Sequence, residues 1–109
     1  MNEKIFEKDE WTQEEYLNYK DELEKQGIDV LLVDTVLKPI DTDNCIKYNP
    51  YEMALFPKDK TVFVFYCDTG KTTKERLEFY RSKLPGYRCV SLYGGKGYWR
   101  PNFRLLKKS

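Results

Sequence analysis

The chemistry-bearing stretch of this chain is Cys67-Asp68-Thr69-Gly70-Lys71-Thr72-Thr73. A thiol is followed at once by short polar residues and a glycine. That is the composition of a tight loop able to turn its backbone N–H groups toward an anion. The residues ahead of it, Thr61 to Tyr66, are β-branched or aromatic and uncharged. They read as a central strand covered on both faces of a parallel sheet. Behind the loop, Thr72 and Glu75 have capping-box spacing, which predicts a helix starting near Lys74. Leu77, Tyr80 and Leu84 share one helical face, and Pro85-Gly86 ends the pattern. Cys67 is thereby expected at the carboxyl end of a strand, beneath a helix amino terminus. Unpaired N–H groups and the helix dipole there ease loss of a thiol proton. The bland alternative is an inert thiol at a buried strand end, a common place for cysteine.

The chain has no histidine, so Ser-His and Cys-His catalysis are excluded, together with the commonest zinc ligand. Any nucleophile must be activated by its own loop. With 109 residues the chain makes one domain with a real core. Its 19 basic and 18 acidic residues nearly cancel, so bulk charge implies neither a nucleic-acid nor a membrane partner. The basic residues near the end (Arg100, Arg104, Lys107, Lys108) read as a solvated tail. Trp11, Trp99 and the tyrosines read as core and interface, because no basic stripe accompanies them. No apolar run reaches the length of a membrane span, and Met1 to Glu10 is charged, unlike a signal peptide. The three cysteines lack paired or metal-type spacing, which suits reduced thiols in a cytoplasmic protein.

The elements that must position the loop follow from the same kind of reading. Lys4 to Phe6 is a candidate first strand. Thr12 with Glu15 is a capping box that opens a helix carrying Tyr16, Tyr19 (or Lys20) and Leu23, and Gln26-Gly27 closes it. Trp11 is placed to staple onto Tyr16. Val30 to Val33 is a second apolar strand, closing on Asp34; Lys38 to Asn44 is a loop. Cys45 to Tyr48 reads as a weak edge strand. Asn49 as cap and Pro50 at the first helical position open a short helix through about Phe56. Arg88 to Leu92 is the last strand, Gly94 to Gly97 a tight turn, and Tyr98-Trp99 the start of a helical segment interrupted by Pro101. Apolar strands alternating with helical patterns predict an α/β fold, a mostly parallel five-stranded sheet with helices on both faces. Its working crevice should lie outside the carboxyl ends of the strands, where Asp34 and Cys67 fall.

Around Cys67, Asp34 reads as a loop-pinning hydrogen-bond acceptor more than a general base. Lys71 is an anion contact or simply an exposed lysine. Cys45 and Cys89 should pack in or beside strands. Cys89 begins its strand where Cys67 ends a neighbouring one, which disfavours a disulfide between them. Cys45 as a resolving thiol stays open. Gly70-Lys71-Thr72 also looks like the tail of a phosphate-binding P-loop, but the glycine that motif requires five residues earlier is Phe65. A cysteine phosphatase needs a longer loop closed by an arginine, and the first arginine here is Arg76, already in the helix.

Taken in order, these pieces resemble the rhodanese-like family over nearly the whole chain. The resemblance rests on Val30-Leu31-Leu32-Val33-Asp34, Ile46-Lys47-Tyr48, Val62 to Cys67, the loop Cys67 to Thr72, and Leu92-Tyr93-Gly94-Gly95-Lys96-Gly97-Tyr98-Trp99. That ending is similar to the family's Leu-x-Gly-Gly-x-x-x-Trp closure. The resemblance implies that Cys67 takes sulfur from a small donor such as thiosulfate, mercaptopyruvate or a persulfide. It would then pass the sulfur to cyanide or to a thiol, of a small molecule or of a protein, and no metal or organic cofactor is implied. Asp68, Thr69, Gly70, Lys71, Thr72 and Thr73 would form the cradle, with the Thr72 hydroxyl donating into it. The chain departs from the family at Val36, where an arginine is usual, at Asp43-Asn44-Cys45, which replaces Gly-His-Ile, and at Asp68. An acidic Asp68 in the mouth opposes a doubly charged donor and the thiolate itself, unless Lys71 and Lys74 offset it. The competing expectation, from a different class, is a non-catalytic rhodanese-like module that binds a protein partner.

Overall fold

The computed structural model describes residues 8–40 and 44–100. Lys4 to Phe6, and Pro101 with the basic residues beyond it, lie outside the described residues. Five strands form one sheet: β1 (Glu10–Trp11), β2 (Asp29–Asp34), β3 (Cys45–Lys47), β4 (Thr61–Tyr66) and β5 (Arg88–Leu92). The order is β1-β5-β4-β2-β3 and every pairing is parallel. This is the α/β architecture expected above, parallel throughout rather than mostly so.

The pattern of residues explains the order. β4 pairs with β2 on one side and β5 on the other, and all of its residues are buried. A strand in that position needs apolar side chains on both faces, which Thr61–Tyr66 supplies. Val62, Val64 and Tyr66 join a core with Trp11, Tyr16, Leu23 and Leu32. Phe63 and Phe65 join a second core with Val33, Leu77, Tyr80 and Leu84. The edge strand β3 is short and half-buried, as its weaker pattern predicts.

Helix α1 (Gln13–Glu24) covers the first face. Thr12 Oγ1 accepts the Glu15 N–H and the Glu15 carboxylate accepts the Thr12 N–H, both at 3.1 Å, so the capping box is formed. On the second face α2 (Pro50–Met53) is capped by Asn49 Oδ1, which accepts the N–H groups of Tyr51 and Glu52. It stops at Met53, short of the Phe56 expected. No helix among the described residues is long and apolar enough to cross a membrane.

The helix after the cysteine loop differs from the expectation in two ways. It begins at Lys71 rather than near Lys74, because Gly70 takes the cap position at φ 84° and its carbonyl accepts the Lys74 N–H at 3.1 Å. Thr72 therefore lies inside the first turn, and Thr72–Glu75 is no capping box. The helix then breaks at Arg76 (φ −95°, ψ 5°), giving α3 (Lys71–Glu75) and α4 (Leu77–Lys83). Five residues build little of the macrodipole invoked from sequence, so the thiol depends on individual hydrogen bonds instead. Tyr80 of α4 stacks on Phe65 of β4 with ring centroids 4.3 Å apart, locking α4 under the end of the strand that carries Cys67. Leu77, only 2% exposed, packs in the same core. Replacing Leu77 by Ala should lower unfolding free energy by about 3 kcal/mol, read as a drop in urea midpoint with the slope unchanged.

Candidate active site around Cys67

Cys67 follows β4 directly and is 3% exposed. Its sulfur accepts the Gly70 N–H at 3.1 Å and lies 3.7 Å from Thr73 Oγ1. Thr73 Oγ1 donates to the Gly70 carbonyl at 3.3 Å and shares a 2.7 Å hydrogen bond with Ser91 Oγ of β5. Thr73 and Ser91 are both fully buried. Burial pushes the thiol up. The Thr73 N–H and hydroxyl and the N–H groups of Thr69 and Gly70 outweigh it, and the net effect holds Cys67 below the ordinary thiol value of 9.0. The hydroxyl that reaches the sulfur is thus that of Thr73. Thr72, expected to donate into the cradle, is exposed. The early helix start rotates Thr73, not Thr72, onto the buried stripe that continues through Leu77, Tyr80 and Leu84.

The loop is shaped by a second loop. Lys96 N–H donates to the Cys67 carbonyl and Gly97 N–H to the Asp68 carbonyl, each at 2.8 Å. With these carbonyls turned to the glycine turn after β5, the loop amides are left to face the sulfur. The approach requires glycine on both sides. A Cβ on Gly95 would stand 2.1 Å from the Cys67 carbonyl oxygen, and one on Gly70 would stand 2.7 Å from the Gly94 nitrogen. Both residues also have positive φ.

Charge at the mouth is arranged differently from the expectation. Asp68 pairs with Lys38 at 3.1 Å, and both side chains are more than half exposed. Lys74 pairs with Glu10 at 3.3 Å instead of offsetting Asp68, and Lys71 is exposed. A pair this exposed contributes little to stability, about 0–1 kcal/mol, but it cancels the carboxylate that would repel an anionic donor. Thr69 Oγ1 accepts the Lys71 N–H at 3.4 Å and so braces the loop. On the far side of the sulfur, Tyr80 lies beside Thr35 and Arg76. Its hydroxyl is raised first by burial and partly brought back by Arg76.

The other residues singled out from sequence separate from Cys67. Asp34 Oδ1 accepts the Val36 N–H at 2.9 Å and so pins the turn after β2, while its Oδ2 is buried with no partner among the described residues. Alternation along β2, with Val30 and Leu32 in the Trp11 core, puts Asp34 on the sheet face opposite the Thr73–Ser91 pair. Cys45 is on that face too, packed on the Trp11 core with its sulfur 3.5 Å from the Tyr66 hydroxyl. Cys89 pairs with Phe63, four residues before Cys67 on the same ladder. Burial pushes its thiol up to about 12. All three cysteines are free, and the described residues include no group of three or more His, Cys, Asp or Glu side chains able to hold a metal ion.

Comparison with family models, with curated proteins and with solved structures finds no match. Two residues of the site, Ser91 and Lys38, were not singled out from sequence; Thr73 was placed in the cradle, with the donating hydroxyl assigned to Thr72 instead. Ser91 carries a signal, being a polar residue inside the apolar run Val90-Ser91-Leu92. Lys38 carries none, since its partner is 30 positions away.

Cys67 should therefore be alkylated by iodoacetamide at pH 7 at least tenfold faster than Cys89, as read by peptide mass over time. The Cys67 rate should level off at a lower pH than that of a free thiol. Equal rates at both cysteines would contradict the lowered Cys67 pKa described above.

Proposed function

We propose that the protein is a sulfurtransferase of the rhodanese-like type, carrying sulfane sulfur as a persulfide on Cys67. The observation that carries this reading is the hydrogen-bonded sulfur itself. A buried thiol at a strand end is met by the Gly70 N–H and the Thr73 hydroxyl, and its proton is held more loosely than burial alone would allow. The loop is too short to wrap a tetrahedral oxyanion, and Arg76 stands beyond its end, so one sulfur atom is the natural cargo.

In the first half-reaction the Cys67 thiolate attacks the outer sulfur of the donor. A sulfur–sulfur bond forms at Cys67, and the bond to the remainder of the donor breaks. That remainder leaves with the electron pair, as sulfite from thiosulfate, pyruvate enolate from mercaptopyruvate, or a thiolate from a persulfide. In the second, a thiolate or cyanide attacks the terminal sulfur and Cys67 leaves as thiolate. The N–H groups of Thr69, Gly70 and Thr73 stabilise the anion before and after each transfer. The reading uses no metal and no organic cofactor. Asp68 and Lys38 neutralise one another, so that pair adds no positive charge for a dianion. A singly charged persulfide needs less charge compensation there than thiosulfate does.

The second reading is a module that docks a protein. It is favoured by Tyr51 and Leu55, 86% and 84% exposed beside a groove lined by Ile46, Met53 and Phe56.

Intact mass distinguishes the two. After incubation of the reduced protein with thiosulfate, mercaptopyruvate or a low-molecular-weight persulfide, one added sulfur atom is expected, most completely with the persulfide. Cys67→Ser should abolish it, while Cys45→Ser and Cys89→Ser retain it. No adduct with any donor would overturn the sulfurtransferase reading and favour the docking module.

A further inference from the structure

The buried hydroxyl pair Thr73–Ser91 holds fewer hydrogens than its neighbourhood can accept. Each side chain has one hydrogen to donate. Thr73 Oγ1 stands within reach of three partners: the Gly70 carbonyl at 3.3 Å, Ser91 Oγ at 2.7 Å and Cys67 Sγ at 3.7 Å. The 2.7 Å bond has Ser91 as donor whenever Thr73 gives its own hydrogen elsewhere. That leaves the Thr73 hydrogen to choose between a neutral carbonyl and the sulfur. A neutral thiol needs no donor, and the hydrogen rests on Gly70. A sulfur anion is the stronger acceptor, and the hydrogen swings to it without a side-chain rotamer change. If Ser91 did not donate, the Thr73 oxygen would be left as a buried acceptor lacking its closest partner.

We propose that Ser91 is a positioning residue of this site: its hydroxyl donates to Thr73 Oγ1 and so commits the Thr73 hydrogen to the Cys67 sulfur anion. Cys67 as nucleophile is the reading on which this rests. The same arrangement serves the thiolate and the persulfide, since each presents an anionic sulfur to Thr73. No bond other than hydrogen bonds changes, and no proton leaves the chain through Ser91. β5 thus contributes to the site from beneath, one residue before its end, alongside Phe65 of β4.

Ionisable groups near the thiol must be held constant in any test. Tyr80 on α4 interacts with Cys67, Arg76 between α3 and α4 lies beside Tyr80, and Asp68 follows Cys67 with its partner Lys38. None is altered by a change at Ser91.

The experiment is the pH profile of Cys67 alkylation, resolved by peptide mass, in a two-by-two set of variants: parent, Ser91→Ala, Thr73→Val and the double variant. Thr73→Val should raise the apparent pKa of Cys67 by about one unit, a tenfold loss of thiolate below the midpoint. Ser91→Ala should raise it by about half a unit, roughly a threefold loss. In the Thr73→Val background Ser91→Ala should change the profile no further. Thr73→Ser, which keeps the hydroxyl, should stay close to the parent. An unmoved profile in Ser91→Ala would overturn the proposal, and so would an equal shift in both backgrounds, because a merely structural Ser91 would affect only the urea midpoint. If Ser91→Ala does not fold, Ser91→Cys preserves the volume with a weaker donor, and it must give a shift of the same sign. The readout is ionisation, independent of sulfur transfer. A shifted profile without a sulfur adduct would sustain the role of Ser91 while overturning the sulfurtransferase reading, and an adduct without a shift would do the reverse.

Discussion

Two backbone hydrogen bonds, from Lys96 to the Cys67 carbonyl and from Gly97 to the Asp68 carbonyl, hold the structure around the thiol together. A loop that curls its amides inward must send its carbonyls outward, and outward at this point is the interior side of another turn. The glycines after β5 solve that problem by bringing N–H groups where any side chain would collide. Everything else follows from the contact. It needs the ends of β4 and β5 side by side, which the order β1-β5-β4-β2-β3 provides. Adjacency in turn puts Ser91 under Thr73, so the same pairing of strands that shapes the loop also equips it with a second hydroxyl.

The balance at Cys67 is one of opposing effects of similar size. Burial among apolar side chains penalises an anion, and a single neutral hydrogen bond would not reverse that. Several donors converging on one polarizable atom do. Cys89 makes a contrast. It is as little exposed but more deeply enclosed, its sulfur meets the Tyr87 carbonyl rather than loop N–H groups, and burial pushes its thiol in the opposite direction. Location at a strand end, rather than inside a strand, is what makes loop amides available to one sulfur and not the other.

Much of the frame was legible in the residues. The uncharged run Thr61–Tyr66 could only be a strand with both faces covered, and Thr12 with Glu15 marked the start of α1 within a residue. The same capping logic misled at Thr72–Glu75. A threonine three positions before a glutamate is also what the first turn of a helix looks like when a glycine has already capped it. Nothing local distinguishes the two; the tight approach of Gly70 to Gly94 and Leu92 decides it, and that is a tertiary fact. For the same reason the donating hydroxyl was assigned to Thr72 and not to Thr73, since an error in a helix start turns the wrong side chain inward. Lys38 was invisible because an ion pair between two loops leaves no periodic trace.

Cys45 on β3 packs on the Trp11 core, whereas Cys67 follows β4 and meets the Thr73–Ser91 pair on the opposite face, and β2 runs between the two strands. Many thiol carriers empty themselves by an internal disulfide, a unimolecular step that proceeds at its own pace whether or not a recipient is present. If Cys67 carries sulfur as proposed, the placement of the two thiols disfavours that exit. The sulfur would then leave by collision with another molecule, and the lifetime of the loaded form would be set by the concentration of its recipient. Such a carrier would behave as a buffer for its cargo, filling when recipients are scarce and draining when they appear.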